Sequence, residues 1–218
     1  MLSIVAFLIG CASQEELQSL QEENARLTAR VARLDAIVDK ERETVRELRE
    51  DLKPLVDKGL LIIEVNEGRV TLALRSDVLF AKGSAELSAD GKDTVQQLAR
   101  ALGRRSPDRD FQVEGHTDSD PINTAQFPNN WYLGAARGIT VTEAMIAAGF
   151  PRNHLSAATY SDTRPSQSNA NDGGQALNRR IEVVLVPDVS GIYKRLEKQG
   201  GGGGGGKGKG KGKGKDKD

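Results

Sequence analysis

The sequence predicts an α+β domain: a mixed sheet with helices on one face, preceded by one long coiled-coil helix. Three observations carry this. Apolar residues recur every three or four positions from Leu17 to Leu55, which is helical spacing. Between residues 60 and 187, stretches with period-two alternation take turns with stretches of helical period. The order strand, helix, strand, helix, strand, strand places helices over one face of a mixed sheet.

Taken in order, the chain opens with an apolar run, residues 1–9, followed by Gly10-Cys11-Ala12-Ser13. Such a run reaches roughly 15 Å as helix, about half of a bilayer core. It reads as the core of a signal peptide rather than as a membrane span. Leu8-Ile9-Gly10-Cys11 resembles the lipobox of bacterial lipoproteins, so residues 1–11 are expected to be a lipoprotein signal and Cys11 the lipidated residue. No Lys or Arg precedes the run, a departure from the basic start of a signal peptide. Ala12 stands where an Asp would imply inner-membrane retention, which leans the reading toward the outer membrane.

Residues 14–55 follow as a stalk. A heptad reads through without slipping, with Leu17, Asn24, Val31, Val38, Val45 and Leu52 at a and Leu20, Leu27, Leu34, Glu41, Leu48 and Leu55 at d. Val at a with Leu at d favours a parallel dimer, and Asn24 at a fixes its register at some cost in stability. The expected partner is a second copy, joined through residues 17–52. The alternative is a single amphipathic helix lying on its own domain. Pro54 should end the regular helix near Leu52.

Residues 60–66 and 69–74 read as a hairpin around Glu67-Gly68, with Val70, Leu72 and Leu74 pointing inward. Ser88 is placed to cap a helix that presents Val95, Leu98 and Leu102 on one face and stops at Gly103. Phe111–His116 is a strand. A polar segment with Pro121 and Pro128 leads to a second helix, residues 131–148, closed by Gly149 and Pro151. Leu155–Ser161 is the next strand, residues 162–178 are a long polar loop, and residues 181–186 are an apolar strand suited to a central place. Residues 188–199 form a short amphipathic helix, and residues 200–218, glycine and lysine, a disordered tail.

Composition narrows the function. Only 37% of the 218 residues are hydrophobic and 4% aromatic, so part of the chain lies outside any packed core. The formal charge of +0 divides into +4 on residues 200–218 and −4 on the rest. The body is therefore no general nucleic-acid binder. The single cysteine, Cys11, excludes an internal disulfide and a cysteine-rich metal site. The alternating tail could act as an electrostatic tether to anionic envelope polymers or simply as a flexible end.

The chemistry centres on residues 111–137. A carboxylate, Asp118, follows the strand, and a guanidinium, Arg137, lies about two turns into the next helix, so the two can face each other across one cleft. From spacing alone this is either a binding pair or a structural ion pair. A metal site at His116 and Asp118 lacks further ligands at suitable spacing, and His116 beside Ser119 has the wrong geometry for a nucleophile and its base. No enzymatic activity and no cofactor are expected.

Val78-Leu79-Phe80, Gly83-Ser84-Ala85-Glu86-Leu87, Val113-Glu114-Gly115-His116-Thr117-Asp118, Leu133, Arg137 and Asn178-Arg179-Arg180-Ile181-Glu182 occur in an order that resembles the OmpA-like peptidoglycan-binding domain, over residues 60–187. The run from Gly115 to Arg137 looks most like the form in flagellar stator proteins of the MotB type. The resemblance implies that Asp118 and Arg137 grip the diaminopimelate of the peptidoglycan stem peptide, with Thr117 and Asn130 adding neutral hydrogen bonds. Of Arg179 and Arg180, one would face the ligand and the other would be a solvated structural charge. Asp120 departs from the neutral residue expected there. The implied protein is a periplasm-facing outer-membrane lipoprotein that ties the membrane to the cell wall. Alternatives are a stator anchor, if a longer amino terminus exists, and a structural envelope spacer.

Overall fold

The computed structural model of the protein describes residues 2–66 and 69–186. The proposed short helix at 188–199 and the tail at 200–218 lie outside the described residues, as do the side chains of residues 1–13, Cys11 among them. Helix α1 (Leu2–Asp51) is followed at once by α2 (Lys53–Asp57), which carries Pro54 in its first turn. Proline is tolerated there because the first turn has no donor to lose. The break falls where the sequence puts it. Among the described residues no helix is long and apolar enough to cross a membrane.

Strands β1 (Leu61–Asn66) and β2 (Arg69–Arg75) pair antiparallel; α3 (Ser76–Leu79) and α4 (Ala89–Arg105) follow. Then come β3 (Phe111–His116), α5 (Asn130–Ala147), β4 (Leu155–Ser161), α6 (Asp172–Asn178) and β5 (Arg180–Leu185). The sheet order is β1-β2-β5-β3-β4, with β3 and β4 parallel and the other pairs antiparallel. β5 is central, as its apolar run suggests. Ser88 caps α4 by accepting from the Gly91 amide at 2.9 Å, and α4 runs past Gly103 to Arg105.

Period-two alternation divides the sheet into unlike faces. Leu72, Leu74, Phe111, Val113, Ile181, Val183 and Leu185 meet Val95, Leu98 and Leu102 of α4 and Val141 and Met145 of α5 in one core. Each such side chain contributes about 1.5–3 kcal/mol by leaving water. The opposite face carries Arg69, Glu114, His116, Tyr160, Arg180 and Glu182.

Two elements depart from the sequence reading. Leu48, Leu52 and Leu55 are buried in the domain's own core, and Asp51 receives Arg105 Nε at 3.0 Å and Arg104 at 3.3 Å. The last turns of α1 therefore pack on α4. The heptad stripe left exposed runs from Leu17 to Val38, each of its Leu and Val residues 46–56% exposed. The second departure is α6, inside the expected loop. Asn171 caps it by accepting from the Gly174 amide at 2.8 Å. Its Gly-Gly start is a poor helix former, so the helix depends on tertiary contacts that composition does not display.

Candidate functional site

Asp118 and Arg137 are carried by β3 and α5, and a pair of glycines sets the distance between these elements. A Cβ on Gly115 would meet the Gly134 carbonyl oxygen at 2.0 Å, and one on Gly134 would meet Thr159 Oγ1 at 2.3 Å. Gly115 lies three residues before Asp118, and Gly134 three before Arg137. The close approach of strand and helix thus brings the two polar groups toward one place. Beyond β3, Ser161 adopts φ 52° while buried, and its carbonyl accepts the Thr117 amide at 2.9 Å. A non-glycine residue in this region is strained, and here it closes the strand end from which the Asp118 loop departs.

Asp118 does not pair with Arg137. Its Oδ2 accepts from Arg179 Nη1 at 2.5 Å, and its Oδ1 accepts the Asp120 amide at 3.3 Å. Arg137 is buried, 4% exposed. Its Nε donates to the Ser84 carbonyl at 2.8 Å, and its guanidinium carbon lies 5.1 Å from the centroid of Phe80. Its two terminal nitrogens have no hydrogen-bond partner among the described residues. Burial, and then the nearby positive charge of Arg179, push the Arg137 pKa down to about 10, against a smaller opposing pull from Asp118. All three charges therefore share one site, and Arg137 stays cationic at neutral pH.

The remaining expected site residues hold the loop. Thr117 Oγ1 donates to the Asp118 carbonyl at 2.9 Å. Asn130 Nδ2 donates to the carbonyls of Asp118 at 3.3 Å and Asp120 at 2.9 Å. Phe127, with Ala85 and Leu133, forms a small second core under residues 119–130. Asp120 is a tie rather than a disturbance: its Oδ1 accepts from Gln175 Nε2 of α6 at 3.1 Å. Arg179 is the arginine that faces Asp118. Arg180 is not solvated, as the sequence suggested; it is buried, with Nε 2.6 Å from Glu182 Oε1 and Nη2 donating to the Arg164 carbonyl at 3.1 Å. Its place on β5, facing away from the helices, explains this.

Sequence reasoning missed Asn178. It is fully buried; its Oδ1 accepts the amides of Ser166 at 2.8 Å and Gln167 at 2.9 Å, and its Nδ2 donates to the Gln167 carbonyl at 2.8 Å and to Asn169 Oδ1 at 2.9 Å. Asn169 Oδ1 in turn accepts the Ser119 amide at 3.3 Å. This network joins the 162–178 segment to the Asp118 loop and fixes the residue next to Arg179. The only sequence sign was its place at the head of Asn178-Arg179-Arg180. The pairs His116 with Asp118 and His116 with Ser119 are not brought together: His116 is buried among Glu114, Glu182 and Tyr160.

Comparison with known proteins agrees with this architecture. The OmpA family profile matches residues 79–179. The protein YtxE of Bacillus subtilis is 34% identical over 129 residues, 59% of this chain. The chain spans about half of that relative's own length, 52%. A MotB-like protein from Desulfovibrio vulgaris superposes with a TM-score of 0.65 at 29% identity, over 69% of this chain and 93% of that one. The cell wall anchor of the T6SS from Pseudomonas aeruginosa gives 0.60 at 30% identity, over 65% and 97%. Residues 79–179, which hold Asp118, Arg137 and Arg179, form a domain that belongs to the OmpA family.

Proposed function

We propose that the domain binds peptidoglycan noncovalently by gripping the zwitterionic end of its diaminopimelate. The observation that carries this reading is Arg137: a buried guanidinium, cationic at neutral pH, with both terminal nitrogens unpaired among the described residues and a carboxylate close by. Such a fork takes a carboxylate in planar, bidentate fashion. An incoming carboxylate would also relieve the repulsion between Arg137 and Arg179. Asp118, already oriented by Arg179 and the Asp120 amide, accepts from the ligand's ammonium. A match to both charges selects the zwitterion over a simple anion or cation. The likeness to a cell wall anchor points the same way. No step in this reading is catalytic. The test is co-sedimentation of the full chain with purified sacculi, competed with free diaminopimelate-containing stem peptide. Binding should be competed away, and Asp118→Asn should lose it. Binding that the peptide leaves untouched removes the assignment.

The same reading places the protein in the cell envelope, facing the periplasm, as an outer-membrane lipoprotein anchored through Cys11 and tied to the wall by residues 60–187. A stator anchor is the second reading, favoured by the likeness to the MotB-like protein. It shares the wall-binding step and differs in what the amino-terminal part joins.

The exposed stripe from Leu17 to Val38 supports a parallel homodimer. It is narrower than the heptad alone implies, because Leu48 and Leu52 are already buried within the chain. Sedimentation equilibrium should show the full chain as a dimer and the double variant Leu20→Lys, Leu27→Lys as a monomer. A wild-type monomer at high concentration would reject the coil.

A further inference from the structure

The face of the sheet turned away from the helices holds a polar cluster that the binding site does not use. Glu114 and His116 lie two residues apart on β3 and so share this face. The register of β3 against β5 sets Glu182 directly opposite Glu114. Two carboxylates placed side by side on neighbouring strands repel each other, so cations must offset them. Arg69 supplies one, a single terminal nitrogen lying 2.8 and 2.9 Å from the two oxygens of Glu114. Arg180 supplies the other, on Glu182 Oε1.

His116 is left over. It is 1% exposed, stacks on Tyr160 at 5.5 Å, and neither of its ring nitrogens has a hydrogen-bond partner among the described residues. A buried imidazole with both nitrogens unsatisfied is costly. Its Nε2 points at the two carboxylates, 3.6 Å from Glu114 Oε2 and 3.9 Å from Glu182 Oε2. Those separations are too long for hydrogen bonds. They come close to the edges of a coordination tetrahedron, which metal–ligand bonds of about 2.0–2.2 Å make roughly 3.3–3.6 Å long. One atom from each of the three residues lies within 4.8 Å of the others.

We propose that Glu114, His116 and Glu182 form a site for a divalent transition metal of the zinc and cobalt class. One imidazole nitrogen with two carboxylate oxygens suits these ions, and the nitrogen disfavours calcium and magnesium, which take oxygen ligands. Water completes the coordination. Arg69 is the competitor. Its side chain is 43% exposed, so it can swing into solvent and release Glu114, whereas Arg180 holds the other oxygen of Glu182 and orients it as an outer partner. An ion here would also brace the end of β3, from which the Asp118 loop departs. The proposal stands independently of what that loop binds.

The experiment is a cobalt(II) titration of the chelator-stripped full chain at neutral pH, read by visible d–d absorption and reversed by zinc. The wild type should develop a saturable band of low coordination number. Arg69→Ala should bind about tenfold more tightly, the scale on which groups around a metal's ligands shift affinity. His116→Gln should lose the band while keeping a folded circular dichroism spectrum, and His154→Ala should keep it. If His116→Gln fails to fold, the Arg69→Ala arm still decides: a purely structural cluster predicts no tightening. No band in the wild type, a band that survives His116→Gln, or unchanged or weaker binding in Arg69→Ala would overturn the site.

Discussion

Arg137→Met is expected to abolish co-sedimentation with sacculi while leaving the domain at least as stable as the wild type. The two effects have one cause. Burial and the neighbouring Arg179 charge hold the Arg137 pKa at about 10, below the ordinary arginine range. The folded state therefore sheds this proton more readily than the unfolded chain, and stability rises with pH between about 10 and the ordinary arginine value. Below that window the full cost is present, on the order of 3 kcal/mol from the size of the shift. Methionine keeps an unbranched stem against Phe80 and removes the charge. It forfeits the bond to the Ser84 carbonyl, worth about 1 kcal/mol. The net expectation is a gain of about 1–2 kcal/mol in urea unfolding at pH 7, together with loss of binding. Arg137→Lys should also lose binding, since an ammonium cannot reproduce the planar fork. Loss of stability by more than about 2 kcal/mol in the methionine variant would instead make Arg137 a structural strut.

The largest expected loss of stability comes from a single methyl group. Gly115→Ala would press a Cβ to 2.0 Å from the Gly134 carbonyl oxygen, and this neighbour is helix backbone that cannot rotate aside. Either α5 lifts off the sheet or β3 distorts. Overpacking of this kind costs about 1–3 kcal/mol in ordinary cores and more where backbone meets backbone. We expect more than about 4 kcal/mol, a large part of the roughly 5–15 kcal/mol that holds a domain together. The variant should be unfolded or molten at 37 °C by near-UV circular dichroism. Gly103→Ala is the internal control: among the described residues its added Cβ meets only Phe150, at 3.9 Å, in the interior of α4. That change should stabilise by up to about 1 kcal/mol, the difference in helix propensity. A Gly115→Ala protein with wild-type stability would mean that strand and helix are not in backbone contact.

The strands β3 and β4 were legible to the residue, because strand-forming residues bounded by polar turn residues are a local signal. Ser88 and the break at Pro54 were legible for the same reason: a cap and a missing donor act within one turn. Helix α6 was not, since Asp172-Gly173-Gly174 has the composition of a loop and its order comes from Asn178 and Asn169, which bond to chain segments outside the helix. The heptad was legible as a pattern but not in its use. Apolar residues at a and d require only that something cover them, and for Leu48 and Leu52 that cover is the chain's own core.

The candidate site shows the same division. Its charged residues could be listed from the sequence, because the motifs around Asp118, Arg137 and Arg179 are contiguous and ordered. Which of them pair could not, because an ion pair is set by distances across the fold. Asp118 takes Arg179, sixty-one positions away, and leaves Arg137 as the free fork. Arg180, one residue further along, turns to the opposite face and balances Glu182 beside Glu114 and His116. The sequence by itself determined the strands, the long helix, the two main helices of the domain and the residue types of the site. The tertiary structure decided the partners, because register and packing bring together charges that the chain holds far apart.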